Sequence, residues 1–75
     1  MSKILIIEDD ASIREGLMDT LRVKGYQVEA AARGAEGLRL VHVRRPDLVI
    51  LDLMLPDMEG FEVCRQLKAL RGPDV

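Results

Sequence analysis

The acidic residues of this sequence gather where its two most apolar runs end. Asp52 follows the run LVIL at 48–51, and the acidic triplet EDD at 8–10 follows the run ILII at 4–7. If both runs form neighbouring parallel strands, their carboxyl ends bring three or four carboxylates into one small crevice. Carboxylates at short range raise each other's pKa unless a cation lies among them. The spacing therefore predicts a metal-binding acidic pocket that includes Asp52.

The donors in this pocket suit a small, hard cation. Mg²⁺ takes about six oxygen ligands and keeps several waters, so a few carboxylates are enough to hold it. Softer metals prefer histidine and cysteine, but His42 and Cys64 fall on separate predicted helices without ligand spacing. With a cation held by Glu8 and Asp9, the Asp52 carboxylate could attack phosphorus and form an aspartyl phosphate.

A structural explanation competes with this chemistry for each acid. Carboxylates also cap helices and keep loops soluble, and for Asp10 we favour that explanation. Asp52 differs, because it ends an apolar strand with no Lys or Arg close by in the sequence. Dense carboxylate clusters frequently mark functional sites, so we favour a functional role for Asp52.

Apolar periodicity predicts the elements that must position these acids. Strands are predicted at 4–7, 27–32 and 48–51, and helices at 11–24, at 35–45 and from Phe61 onward. The expected apolar face of the third helix consists of Phe61, Cys64, Leu67 and Leu70. Alternating strands and helices with short turns favour an α/β fold with right-handed crossovers and a parallel sheet. Ligands in such sheets bind beyond the carboxyl ends of the strands, where the acids fall.

Turn-forming residues set the expected ends of the helices. Asp10 or Ser12 could cap the start of the first helix, and Gly25 suits the left-handed residue that closes it. Pro46 is expected to stop the second helix, because the residue before a proline avoids the helical region.

Composition narrows the class of protein. The 75 residues suffice for one small domain, which at this length buries only about 60–65% of its unfolded surface. Against 13 Asp+Glu there are 11 Lys+Arg, and the net charge of −2 argues against a general nucleic-acid-binding surface. We interpret the arginines at 33, 39, 44 and 45 as a solvated helix face rather than a phosphate-binding patch.

The cellular compartment is predicted from cysteine usage and from the start of the sequence. Cys64 is the single cysteine and cannot form an internal disulfide, so we interpret it as a buried packing thiol in a reducing cytoplasm. The opening MSKILIIEDD is too short and too acidic for a signal peptide, and no apolar run reaches membrane-spanning length. We therefore expect a soluble cytoplasmic chain without membrane association.

Two segments resemble the receiver domains of bacterial two-component response regulators. KILIIEDD at 3–10 is similar to the first strand and acidic pair of these domains. PDLVILDLMLPDMEGFEVCRQLK at 46–68 is similar to their third strand, phosphorylation loop and third helix. The likeness implies a flavodoxin-like parallel sheet with strand order 2-1-3, cut from five β/α units. It also implies a regulatory phosphoacceptor domain rather than an enzyme.

The resemblance assigns a role to each residue of the pocket. It implies that Asp52 accepts a phosphoryl group from a sensor histidine kinase. Mg²⁺ is expected on Asp9, on Asp52 and on the backbone carbonyl of Met54, with Glu8 acting through water. The residues implied for the phosphorylation loop are Leu53, Pro56 and Gly60. Glu8 and the stretch LMLPDMEG are more similar to regulators with a winged-helix DNA-binding output domain, so the intact parent is expected to regulate transcription.

The resemblance also implies parts that these residues do not supply. Receivers of this kind have five strands and five helices in about 120 residues, within the usual size of a domain. Neither the fourth-strand Thr or Ser nor the fifth-strand Lys that contacts the phosphoryl group has a counterpart here. We therefore expect residues 1–75 to form a partial receiver, with no second domain, that binds metal without switching. An apolar third strand at the sheet edge would also favour self-association.

Three alternatives differ in class from a phosphoacceptor. An aspartate-nucleophile phosphatase needs a second Asp two residues after Asp52, where Met54 stands. A flavodoxin-like nucleotide binder needs a phosphate cradle after the first strand, where EDDAS would repel phosphate. A degenerate receiver used only for protein contacts remains open for this stretch of chain, although Glu8, Asp9, Asp52 and Pro56 argue against it for the parent.

Overall fold

The computed structural model describes residues 2–52 and 54–71. Strands and helices alternate through these residues, in the order predicted from the sequence. The elements are β1 (Lys3–Ile7), α1 (Ala11–Val23), β2 (Gln27–Ala31), α2 (Gly34–Arg44), β3 (Leu48–Leu51) and α3 (Gly60–Arg71). The predicted α/β class is confirmed, and the observed bounds lie within one residue of the predicted ones.

The three strands form one parallel sheet in the order β2-β1-β3, which confirms the expected order. In the register of the sheet, Ile7 lies opposite Ala31 of β2 and Leu51 of β3. Beyond this row, Asp52 N donates to Ile7 O at 2.9 Å, and Glu8 N donates to Ala31 O at 3.0 Å. The residues that follow β1 and β3 are therefore held side by side.

Helices cover both faces of this sheet. Leu5 and Ile7 of β1 join the core with Val41 of α2 and with Val63 and Leu67 of α3. Ile4 and Ile6 alternate with them along the strand and are also buried, on the face where α1 packs against β1 and β2. The four-residue apolar run of β1 is explained by this two-sided burial.

The face that carries α1 is only partly covered. No side chain of α1 is fully buried, and Ile13 is 52% exposed. Leu48 of β3 pairs with Ile4, so it points to the same side of the sheet, yet it is 54% exposed. The described residues therefore leave apolar surface open beside α1 and along β3.

The ends of α1 and α2 are set by the residues that the sequence predicted for them. Asp10 is the N-cap of α1, since its Oδ1 accepts from Ile13 N at 3.0 Å, and Gly25 has φ +94° just beyond the helix. The α2 helix ends at Arg45, which adopts a left-handed φ of 49° immediately before Pro46. A proline at 46 disfavours the right-handed helical region for Arg45, which explains where α2 stops.

The predicted apolar face of α3 is partly wrong. Phe61 is 73% exposed and Cys64 is only half-buried, whereas Val63 and Leu67 are buried. The helix begins at Gly60, and the face packed on the core runs through Gly60, Val63 and Leu67, at spacings of three and four residues. Phe61 follows Gly60 directly and so points away from the core. The predicted role of the Leu70 side chain lies outside the described residues.

The arginine-rich segment agrees with the solvated face that was predicted. Arg33, Arg39, Arg44 and Arg45 are all exposed. Arg44 Nε lies 3.2 Å from Glu29 Oε1 of β2, an exposed ion pair. Such pairs contribute little to stability in water.

Candidate functional site

Three carboxylates meet at the carboxyl ends of β1 and β3. Glu8, Asp9 and Asp52 each offer an oxygen, and these oxygens lie within 4.8 Å of one another. Glu8 and Asp52 are half-buried, and Asp9 is exposed. We call these three residues the acidic cluster. Asp10 lies outside it, because its carboxylate caps α1.

Backbone amides fix the orientation of two of these carboxylates. Met54 N donates to Asp52 Oδ1 at 3.0 Å. Asp10 N lies 3.4 Å from Glu8 Oε2, a longer contact of the same kind. Asp52 is therefore held at Oδ1 by its own loop.

The carboxyl groups of Glu8 and Asp52 titrate differently. The pKa of Glu8 is raised above its ordinary value of 4.5, chiefly by hydrogen bonding to the Asp52 carboxyl and then by burial. The pKa of Asp52 is lowered below 3.8, chiefly by the Met54 N–H and then by Glu8. The pair thus tends to keep one proton while no cation is near, with Asp52 as the ionised member.

The guanidinium group of Arg14 bonds the main chain of two residues of the acidic cluster. Arg14 Nη1 donates to the carbonyl oxygens of Glu8 at 3.0 Å and of Asp9 at 3.3 Å. These bonds fix the turn between β1 and α1 but leave the carboxylates themselves unpaired with Arg14. Arg14 was not predicted from the sequence as part of the site.

The loop between β3 and α3 is closed on itself and tied to α2. Met54 and Glu59 form an antiparallel bridge, which defines loop 54–59. At its tip, Asp57 Oδ1 accepts from Gly34 N at 2.8 Å and Asp57 Oδ2 accepts from Ala35 N at 3.0 Å. These bonds, to Ala35 first and Gly34 second, hold the pKa of Asp57 below 3.8. Asp57 was also missed by the sequence analysis.

The remaining predicted site residues surround this loop. Pro56 is exposed, and Gly60 is the buried first residue of α3, whereas Leu53 lies outside the described residues. The Met54 side chain is 83% exposed, and its carbonyl as a metal ligand stays a prediction. An open depression of about 600 Å³ flanks the cluster, lined by Asp9, Met54, Leu55, Pro56, Glu59 and Phe61.

Comparison with known families agrees with this arrangement. Residues 4–75 match the family model of the response regulator receiver domain. The chain belongs to this family. It is therefore a regulatory receiver domain of the two-component type, as the motifs of β1 and β3 predicted.

Similar proteins carry regulatory names. The chain is 48% identical over 68 residues to the transcriptional regulatory protein AfsQ1 of Streptomyces coelicolor, which covers 91% of this chain and 30% of that protein. It is also 48% identical over 67 residues to the response regulator MprA of Mycobacterium sp. (strain KMS), covering 89% and 29% of the two chains. The chain thus spans about a third or less of the length of these relatives.

Solved structures confirm the receiver fold. A CheY-like receiver domain protein from Methanospirillum hungatei superposes with a TM-score of 0.93 at 38% identity, covering 95% of this chain and 57% of that one. The chemotaxis protein CheY4 of Vibrio cholerae gives a TM-score of 0.89 at 39% identity, covering 92% and 57%. Within the described residues, no helix is both long and apolar enough to cross a membrane.

Proposed function

We propose that the acidic cluster binds Mg²⁺ and that Asp52 accepts a phosphoryl group from a sensor histidine kinase in two-component signal transduction. The observation that carries this proposal is the meeting of Glu8, Asp9 and Asp52 within 4.8 Å. Asp52 is the acceptor because its pKa is lowered and one of its oxygens is already held by Met54 N. Its other oxygen would form the bond to phosphorus as the bond to the donor breaks.

The residues present fit a magnesium ion. Asp9 and Asp52 would bind it directly, the Met54 carbonyl would add a neutral oxygen, and Glu8 would act through water. Hydrogen bonding to Asp52 is the chief cause of the raised pKa of Glu8, so the two carboxyl groups lie close enough for one cation to reach both. Arg14 does not pair with these carboxylates, since it bonds main-chain carbonyls. A bound Mg²⁺ would neutralise charge on the phosphoryl oxygens during transfer.

The role that we propose for the whole protein rests on its relatives. We propose that the intact parent regulates transcription in the cytoplasm, through a winged-helix DNA-binding output domain. The name of AfsQ1, a transcriptional regulatory protein, supports this role. The net charge of −2 supports a receiver segment that does not itself bind nucleic acid. A membrane partner is not part of the proposal.

We further propose that residues 1–75 taken alone hold the phosphoryl group without switching. Switching needs a hydroxyl and a lysine that contact the phosphoryl group, as the resemblance implies. The Thr20 hydroxyl donates to the Gly16 carbonyl oxygen within α1, with Oγ1 and O 2.9 Å apart. Lys3 lies at the amino end of β1, opposite the acidic cluster, and Lys68 lies in the second half of α3.

A second candidate function is contact with another protein through β3. Among the described residues, β3 pairs only with β1, so its outer edge carries unpaired backbone groups. Leu48 on that strand is 54% exposed. Self-association of the chain through this edge is therefore the second proposal. Unlike phosphorylation, it requires neither Mg²⁺ nor Asp52.

Phosphorylation is tested by incubating the chain with a small acyl-phosphate donor and Mg²⁺. Mass spectrometry should find one added phosphoryl group, stable in acid and labile in base. Chelation of Mg²⁺ should abolish the addition, and Asp52→Asn should not accept the group. Addition to the Asp52→Asn variant would overturn the assignment. Glu15→Gln, an exposed acid on α1 outside the cluster and loop 54–59, controls for the general loss of a negative charge.

A further inference from the structure

The first turn of α2 is capped from a distant part of the chain. Arg33 occupies the N-cap position with an extended backbone but makes no side-chain cap bond. The missing acceptor is the Asp57 carboxylate, which accepts from Gly34 N and from Ala35 N. Asp57 lies 23 residues after Gly34 and 22 residues after Ala35. Helix N-termini carry unpaired N–H groups and a partial positive charge, which a carboxylate satisfies on both counts.

Loop 54–59 also packs against the start of α2. A Cβ placed on Gly34 would lie 3.0 Å from Met58 Sδ and 3.1 Å from Val63 Cγ2. Both distances are shorter than ordinary van der Waals contact, so a side chain at position 34 would require Met58 or Val63 to shift by a few tenths of an ångström. Asp57 and Met58 therefore dock the tip of the loop on one helical turn.

The docked tip is connected to the acidic cluster by a short path. The bridge between Met54 and Glu59 closes the base of the loop whose tip is held by Asp57. Met54 N then bonds Asp52 Oδ1 at 3.0 Å. The loop therefore links the contact of Asp57 with α2 to the Met54 amide that bonds the Asp52 carboxylate.

We infer that Asp57 is a positioning residue for the acidic cluster. By holding loop 54–59 on the first turn of α2, it fixes Met54 relative to Asp52 and couples cation binding to the order of that turn. The coupling to cation binding rests on the proposed function, whereas the placement of Met54 by the docked loop does not. The alternative is that Asp57 is only a helix cap, which a residue at position 33 could replace.

Two variants separate these roles. Asp57→Ala removes both the helix cap and the link between loop and helix. Asp57→Ala combined with Arg33→Asn restores a local cap, because Asn is a preferred N-cap residue and position 33 has the extended backbone that a cap requires. The double variant therefore regains the helix cap without the link.

Three measurements on the full chain are compared across these variants. Urea unfolding should find the stability lost in Asp57→Ala largely recovered in the double variant. Calorimetric titration with Mg²⁺ should find binding roughly tenfold weaker in both, as for other residues that orient metal ligands. Amide exchange of Met54, which needs no metal, should be faster in both. In the wild-type chain alone, Mg²⁺ should slow exchange at Gly34 and Ala35.

Ile4→Val is the matched control for stability. Ile4 is 4% exposed near the amino end of β1, away from the loop, so its truncation destabilises the core without touching Asp57. Its Mg²⁺ affinity and Met54 exchange should stay close to those of the wild type. If Asp57→Ala does not fold, the double variant compared with Ile4→Val gives the same answer.

The outcomes distinguish the inference from the proposed function. One outcome is that the double variant recovers its Mg²⁺ affinity and the slow amide exchange of Met54 together with its stability. That result would show that Asp57 is only a helix cap, and it would overturn the inference. If the wild-type chain gives no heat with Mg²⁺, the proposed function fails, and Met54 exchange decides the inference. Unchanged Met54 exchange in the double variant would then overturn it.

Discussion

Gly37 of α2 lies so close to Ile7 of β1 that no side chain fits between them. A Cβ built on Gly37 would overlap Ile7 Cδ1 and lie 2.7 Å from Ile7 Cγ1, and Ile7 is fully buried. This contact lets α2 pack directly against the end of β1 that leads into the acidic cluster. Helix propensity alone argues against a glycine here, and the contact explains it.

The first prediction is that Gly37→Ala destabilises the chain. Forcing a methyl group into a packed core typically costs about 1–3 kcal/mol, against a helix-propensity gain of about 1 kcal/mol. We expect a net loss in the free energy of unfolding, measured by urea denaturation. Ile7→Val in the Gly37→Ala background should recover part of the loss, because it removes the Cδ1 methyl that the new Cβ would meet.

Gly16→Ala is the matched control and should act in the opposite direction. No atom outside its own helix lies within 4 Å of a Cβ built on Gly16. Ala there should stabilise α1 by up to about 1 kcal/mol, through propensity alone. If Gly37→Ala proved as stable as Gly16→Ala, the close contact with Ile7 would not limit α2.

The sequence could predict the elements but only part of their packing. The apolar runs of β1 and β3 are strong signals because residues 4–7 of β1 are buried and residues 49–51 of β3 are half-buried. The order of the strands came from the family resemblance, since apolar runs do not say which strands pair. The face of α3 was partly missed because a helix phase depends on the partner helix, and Val63 rather than Phe61 meets the core.

The acidic cluster was predictable, but its supports were not. Glu8, Asp9 and Asp52 follow apolar runs, so parallel pairing alone predicts their meeting. Arg14 and Asp57 act on main-chain carbonyl and amide groups of other residues. Such partners leave no residue-type pattern in the sequence, because every residue except proline offers the same backbone groups.

The second prediction is that the stabilisation contributed by Asp57 is lost in acid. Its pKa in the folded chain is lowered from 3.8, first by Ala35 N–H and then by Gly34 N–H. A lowered folded-state pKa contributes stability that is present above the unfolded value of 3.8 and is lost as pH falls through the folded value. The stability difference between wild type and Asp57→Ala should therefore be constant near neutral pH and shrink in acid. A difference that widens on acidification would contradict this assignment.

Asp57→Asn provides the control for that titration. Asn keeps an oxygen that can accept one of the two amide bonds, but it carries no ionisable group. Its stability relative to wild type should approach equality at low pH, where the wild-type carboxyl is protonated. Unfolding free energies measured by urea at each pH give both comparisons.

The third prediction is that Glu8→Gln stabilises the metal-free chain at neutral pH. The pKa of Glu8 is raised above 4.5, chiefly by hydrogen bonding to Asp52, so its ionisation is less favourable folded than unfolded. The stability of the wild type should accordingly fall as pH rises from 4.5 through the raised value, and Gln removes that loss. The measurement is urea unfolding between pH 4 and pH 8 with a chelator present.

Glu15→Gln on the exposed surface of α1 controls for loss of one negative charge. It should change stability less than Glu8→Gln does. With millimolar Mg²⁺ the wild type should become more stable than Glu8→Gln, because a ligand that binds the folded state stabilises it and, on the proposed function, Glu8 strengthens Mg²⁺ binding. Equal effects of the two substitutions, with and without Mg²⁺, would mean that Glu8 and Asp52 do not repel each other.

The fourth prediction is that the wild-type chain self-associates through β3 at tens of micromolar. The outer edge of β3 is unpaired among the described residues, and Leu48 is 54% exposed. A lysine on an edge strand opposes edge-to-edge pairing, so Leu48→Lys should shift sedimentation toward the monomer. Val43→Lys is the matched control, since Val43 is 58% exposed on α2 and lies away from that edge. A compact wild-type monomer, or equal dispersal by both lysines, would rule out association through β3.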